Sequence, residues 1–193
     1  MCGLAGFISS ETLSDSPSSS RAIRLMTDAI THRGPDSEGH WADEAAGLVL
    51  GHRRLAILDL SPAGHQPMHS ACGRYVIAFN GEIYNHLELR TRLERAGQAP
   101  AWRGHSDTET LLAAFVAWGV EATLQAAVGM FAIALWDRKA RTLTLARDRF
   151  GEKPLYVGFA QGCGFAQGQR GDEREPVMGR GPLLFGSELK ALM

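Results

Sequence analysis

The sequence predicts an α+β fold in which helices cover antiparallel sheets, and three observations carry that reading. From Met130 onward, MFAIALWD, TLTLARD, PLYVGFA and GPLLFGSE follow one another as short runs rich in branched and aromatic residues, which read as strands. Two earlier runs, GLVLGHRRLAILDL and RYVIAFNGEIY, have the same character. Three of the four helical signals are clustered between these groups.

In chain order, residues 10 to 20, SETLSDSPSSS, read as a polar loop with Ser20 as the N-cap of a first helix. In that helix Ile23, Met26 and Ile30 recur at helical spacing until HRGPD stops it. SPAGHQPM is the loop between the two earlier strands. NHLELRTRLERAG places Leu89, Leu93 and Ala96 on one face, with Asn85 as N-cap and Gly97 as the stop. In SDTETLLAAFVAWG, Ser106 and Glu109 make a capping-box pattern ahead of the apolar face of Leu111, Leu112 and Phe115. VEATLQAAV is a shorter third helix in this cluster, and RKAR joins the first two of the later strands. Residues 161 to 181, rich in glycine and mixed charge without an apolar pattern, read as a mobile loop or an insertion in a hairpin.

The 193 residues amount to one domain with room for a substantial core. A composition of 45% hydrophobic and 21% charged residues with a net charge of -1 offers no basic field for nucleic acid. Cys2, Cys72 and Cys163 are too few and scattered for a disulfide framework, which points to a reducing compartment, the cytoplasm. No window reaches the roughly 18 apolar residues of a membrane helix, and no leader precedes Cys2. Phosphate-loop and dinucleotide fingerprints are absent. His65, His69 and Cys72 make only a weak zinc pattern.

Chemistry concentrates elsewhere. With Met1 trimmed, Cys2 would carry both a thiol and a free α-amine, whose reference pKa of ~7.7 to 8.0 suits it to take the thiol proton. Arg53 and Arg54 are adjacent in an apolar strand, so one of them faces inward. A planar guanidinium there needs a carboxylate, from the protein or from a ligand. Asn80 and Gly81 read either as a hairpin signal or as an oxyanion hole made of a side-chain amide and an unhindered backbone N–H. Asp107 suits the first turn of its helix, and paired with Glu82 would suit an ammonium group.

Taken together, MCGLAGF, HRGPDSEG, GHRRLAILDLSPAGHQPM, FNGEIYNHLELR, SDTE, GMFAIALWD, ARDRFGEKPLY and FGSELKAL resemble, in order and over nearly the whole chain, the glutaminase domain of class II glutamine amidotransferases, specifically that of glutamine-hydrolysing asparagine synthetases. The resemblance implies an Ntn-hydrolase fold, a four-layer αββα sandwich with two antiparallel sheets between helical layers. It implies that Cys2 attacks the side-chain amide of L-glutamine, Asn80 and Gly81 hold the oxyanion, Arg54 grips the α-carboxylate, Leu55 and Ile57 add backbone contacts, and Glu82 and Asp107 take the α-ammonium. It implies no metal or cofactor for residues 1–193; ATP and Mg would serve a C-terminal synthetase domain, in cis or trans, absent beyond ELKALM. The nitrogen acceptor, aspartate or another, lies with that domain, and the sequence leaves the oligomeric state open. A catalytically idle docking module is the alternative to an ammonia-delivering enzyme.

Overall fold

The computed structural model describes residues 1–9, 17–57, 59–160 and 181–193. The insertion expected at 161 to 181 lies outside them except for Gly181, as does most of the loop expected at 10 to 20. The strands form two sheets, antiparallel throughout. One runs, in spatial order, β2 (Ser37–Asp43), β3 (Leu48–Arg54), β1 (Gly3–Ile8), β9 (Leu183–Gly186) and β8 (Tyr156–Phe159). The other runs β4 (Met68–His69), β5 (Tyr75–Ile83), β6 (Gly129–Asp137) and β7 (Thr142–Arg147).

Period-two alternation assigns each face. Leu4, Leu48, Leu50 and Phe185 point from the first sheet onto Val76, Ala78, Ala132, Ala134 and Trp136 of the second, forming the inter-sheet core. The opposite face of the first sheet carries Phe7 and Val49, which meet Ile23 of α1 (Pro17–Asp28). On the outer face of the second sheet, Ile77, Phe79, Ile83, Phe131 and Ile133 pack against Leu89 of α2 (His86–Arg95) and Leu111, Leu112 and Phe115 of α3 (Asp107–Trp118). Leu124 of α4 (Val120–Ala126) packs against the same cluster. Helix, sheet, sheet and helix therefore stack in four layers, as expected.

Several boundaries differ from the sequence reading. α1 begins at Pro17, three residues before the expected cap at Ser20; proline's fixed φ and missing N–H suit a first helical position. β1, β2 and β4 were not anticipated. GLAGFI is glycine-rich and SEGHWAD polar, and both are strands because their neighbours in the sheet pair with them. The run expected to extend to residue 60 ends as a strand at Arg54. At α3 the Ser106 hydroxyl accepts from the Glu109 N–H at 3.2 Å, as expected. The Glu109 carboxylate, however, does not return to Ser106 but accepts from the N–H groups of Arg103 and Gly104.

Phe185→Ala should lower the free energy of unfolding by about 3 to 5 kcal/mol, because the ring is fully buried between the sheets. Leu87→Ala, on the exposed face of α2, should change it by no more than about 0.5 kcal/mol. Urea titration of both variants checks the contrast.

Candidate active site

Cys2 immediately precedes β1, while Asn80 and Glu82 lie in the last half of β5 on the face that Val76 and Ala78 turn toward the other sheet. The sandwich thus brings the start of one strand against the end of another, around a cavity of about 100 Å³. All eight residues expected at the site, Cys2, Arg54, Leu55, Ile57, Asn80, Gly81, Glu82 and Asp107, line it.

The Cys2 side chain is fixed by one residue: Sγ accepts from the Leu55 N–H at 3.3 Å and donates toward the Leu55 carbonyl at 3.5 Å. Burial pushes the thiol pKa up, against the opposing effect of the Leu55 N–H. At neutral pH the group is a thiol and needs a base. The Cys2 carbonyl accepts from Arg33 Nε at 2.9 Å, and Arg33 Nη1 is paired at 2.9 Å with Glu188, just after β9. Although burial would raise it, Glu188 is held at about 2 by its hydrogen bonds from Arg33, His32 and Lys190. The charged residues of HRGPDSEG thereby serve as scaffold: Asp36 Oδ2 accepts from the Ala56 N–H at 2.9 Å, and Glu38 pairs with Arg53 at 2.8 Å.

Strand alternation separates the two arginines. Arg53 turns outward beneath the C-terminal end of α1, where it donates to the Thr27 carbonyl and pairs with Asp28 and Glu38. Arg54 turns into the cavity. Its guanidinium donates to the backbone carbonyls of Asp59 and Ser61 and makes no ion pair among the described residues. Asp59 anchors that loop, its pKa lowered to about 2 by hydrogen bonds from Ser61 and from the His105 N–H. The arginine without a protein carboxylate is the one that faces ligand space.

Asn80 is 1% exposed, yet its Nδ2 has no hydrogen-bond partner among the described residues. The Gly81 N–H is aimed by the ladder. Opposite Gly81, the N–H and C=O of Phe131 are engaged by Asp148, so this is a pair without hydrogen bonds to each other and the Gly81 peptide faces the other edge of β5. A Cβ at Gly81 would lie 2.2 Å from the Met130 carbonyl, which excludes any larger residue. Asp107, 6% exposed, accepts from the N–H groups of Ile83 at 2.9 Å and Thr108 at 2.8 Å. Burial raises its pKa, the Ile83 and Thr108 bonds lower it, and the nearby Glu82 carboxylate raises it further. A cation between the two carboxylates would relieve this. Ile57 is exposed at the mouth.

A family model for the glutamine amidotransferase domain matches residues 1–193. The chain belongs to the glutamine amidotransferase domain family. Membership makes it an enzyme domain of the amidotransferase class. A putative asparagine synthetase (glutamine-hydrolyzing) of Mycobacterium tuberculosis is 42% identical over 172 residues, which are 84% of this chain and 26% of that relative. Asparagine synthetase (glutamine-hydrolyzing) 1 of Bacillus subtilis is 42% identical over 156 residues, 81% of this chain and 24% of the relative. The amidotransferase chain thus spans about a quarter of the length of these curated relatives. The solved glutamine phosphoribosylpyrophosphate amidotransferase of B. subtilis, complexed with ADP and GMP, superposes with a TM-score of 0.70 over 99% of this chain and 43% of its own, at 20% identity. That likeness shows the shared fold, the Ntn-hydrolase sandwich.

The weak zinc pattern gathers no site: among the described residues no three His, Cys, Asp or Glu side chains are grouped to hold a metal. Nor, among them, is any helix long and apolar enough to cross a membrane. Sequence reasoning missed Gln66, Thr108 and Lys153, which also line the cavity, and His52, fully buried behind it. Gln66 sat in a segment read only as a loop, and His52 was overshadowed by the arginines beside it.

Burial pushes the His52 imidazole down to about 4. Its folded pKa is therefore below the unfolded value of about 6.5. Between those values the unfolded state binds more protons, so stability is full above pH 6.5 and falls by about 3 kcal/mol as pH drops to about 4. His52→Gln should flatten that limb in urea titrations across this range. His40 and His69, also lowered by burial, remain in both proteins, so equal slopes would contradict the assignment.

Proposed function

We propose that the chain hydrolyses the side-chain amide of L-glutamine to glutamate and ammonia through a thioester on Cys2. The observation that carries this reading is the Asn80 Nδ2, without a partner among the described residues, beside the edge-facing Gly81 N–H, in one cavity with a half-buried thiol and an arginine that meets no carboxylate among those residues. A zwitterionic amino acid fits the charges: its carboxylate on Arg54, its ammonium between Glu82 and Asp107. Its carboxamide then reaches Cys2.

In this reading Met1 is removed. Met1 lines the cavity, its sulfur accepting from Lys153 Nζ at 3.1 Å, and removal both clears that volume and frees the Cys2 amine. The amine takes the thiol proton as sulfur bonds to the carboxamide carbon, and the developing oxyanion is held by Asn80 Nδ2 and the Gly81 N–H. The amine returns the proton to nitrogen as the C–N bond breaks, releasing ammonia. Water, deprotonated by the same amine, bonds to the thioester carbon; the C–S bond breaks, glutamate leaves and the Cys2 sulfur takes the proton back from the amine. The ammonia would pass to an ATP- and Mg-dependent synthetase unit corresponding to the unmatched remainder of the relatives, with aspartate as acceptor.

The purified protein should begin at Cys2 by intact mass. Incubated with the diazo-ketone analogue of glutamine, it should be labelled at Cys2 and nowhere else, and Cys2→Ala should take no label. Labelling at Cys72 or Cys163 would overturn the nucleophile, and no labelling even with the synthetase unit supplied would favour an idle docking module. In steady-state assays Asn80→Ala should lower kcat by ~10² to 10³. Arg54→Lys should act mainly on KM, because a point ammonium cannot reproduce a two-pronged grip. An unchanged KM would move the carboxylate site away from Arg54.

A further inference from the structure

β4 pairs with β5 only at Ile77 and Val76. Beyond it the edge of β5 presents the peptide groups of Phe79, Gly81 and Ile83 with no strand alongside among the described residues. Side chains take the place of that strand at two of the three. The Ile83 N–H donates to Asp107, and the Phe79 peptide is gripped from both of its polar groups. Its N–H donates to Gln66 Oε1 at 2.7 Å, and its carbonyl accepts from His52 Nε2 at 2.9 Å. Gln66 Nε2 in turn donates to Thr108 Oγ1 at 3.4 Å, beside Asp107 in the first turn of α3. One amide therefore ties the strand bearing Asn80 and Gly81 to the helix bearing Asp107.

His52 reaches Phe79 from the first sheet, across the inter-sheet space. Because its partner is a carbonyl, Nε2 carries the proton and Nδ1 is the bare acceptor, and Nδ1 has no partner among the described residues. A side chain present only to fill this fully buried position would be apolar, since an orphaned ring nitrogen costs stability. What the imidazole supplies is one directed hydrogen bond to the peptide that precedes Asn80.

We propose that His52 and Gln66 are positioning residues for the oxyanion site: by clamping the Phe79 peptide they fix the direction of the Asn80 amide and of the Gly81 N–H. The inference rests on the glutaminase reading, in which those two groups receive the oxyanion. Neither His52 nor Gln66 donates to the substrate itself.

The test compares His52→Leu and Gln66→Leu with His52→Gln, whose amide N–H keeps a donor near the Nε2 position. Both leucine variants should lose about tenfold or more in kcat with KM for glutamine held within about twofold, as expected when a reacting geometry is loosened. His52→Gln should recover most of the loss. In an Asn80→Ala background the leucine substitutions should cost clearly less in kcat than in the wild type, because only the Gly81 N–H is left to be misaimed. Losses of equal size in both backgrounds would make the two residues merely structural. A second readout needs no turnover: the Asn80 side-chain amide resonances, assigned by their absence in Asn80→Ala, should shift or broaden in the leucine variants and return in His52→Gln. Unmoved resonances would overturn the proposal. If the wild type fails to hydrolyse glutamine even with the synthetase unit supplied, the glutaminase reading falls and the resonances alone decide the positioning claim; if His52→Leu does not fold, Gln66→Leu carries both measurements.

Discussion

The uncovered edge of β5 is the constraint from which the site follows. A buried strand edge must satisfy its peptide groups, and here a neighbouring strand does so only as far as Ile77. Past that point Gln66 and His52 serve Phe79 and Asp107 serves Ile83, while Gly81 between them faces the cavity. A longer β4 would occupy this edge and consume the Gly81 N–H. The shortness of that strand is thus what permits backbone to take part in the chemistry, and glycine is required there because Met130 and Phe131 leave no room for a Cβ.

Charge pairing divides the molecule in a similar way. Arg33 with Glu188, Arg53 with Asp28 and Glu38, and Arg74 with Asp137 are internally matched and hold elements together. Arg33 does this for the nucleophile, since it also fixes the carbonyl of Cys2. Arg54, Glu82 and Asp107 make no ion pair among the described residues, and all three line the same cavity. One positive and two negative groups around a small volume make a site whose electrostatics are completed by a zwitterion, and Asp107, the buried one of the three, gains most from such a ligand.

The layers were legible in the sequence because the apolar pattern of β5, β6 and α3 is strong and its period unambiguous. β1 and β2 were not, since GLAGFI and SEGHWAD owe their conformation to pairing with β3 and β9 and not to their own composition. The resemblance pointed to the site residues, and the alternation rule required one of two adjacent arginines to face inward. Which one, and whether a protein carboxylate met it, depended on Asp28 and Glu38, far away in sequence. His52 and Gln66 were illegible for the same reason. Their partner is a peptide group, and a peptide group left bare by the end of a strand has no signature in one dimension.

The most direct measurement of the account is the structure of the Cys2→Ala protein, with Met1 removed, bound to L-glutamine. The account predicts the side-chain carbonyl oxygen within hydrogen-bond distance of Asn80 Nδ2 and the Gly81 N–H, the α-carboxylate on the Arg54 guanidinium, and the α-ammonium between Glu82 and Asp107. Glutamine bound with its side-chain amide turned away from Asn80, or with its carboxylate on any group other than Arg54, would contradict it.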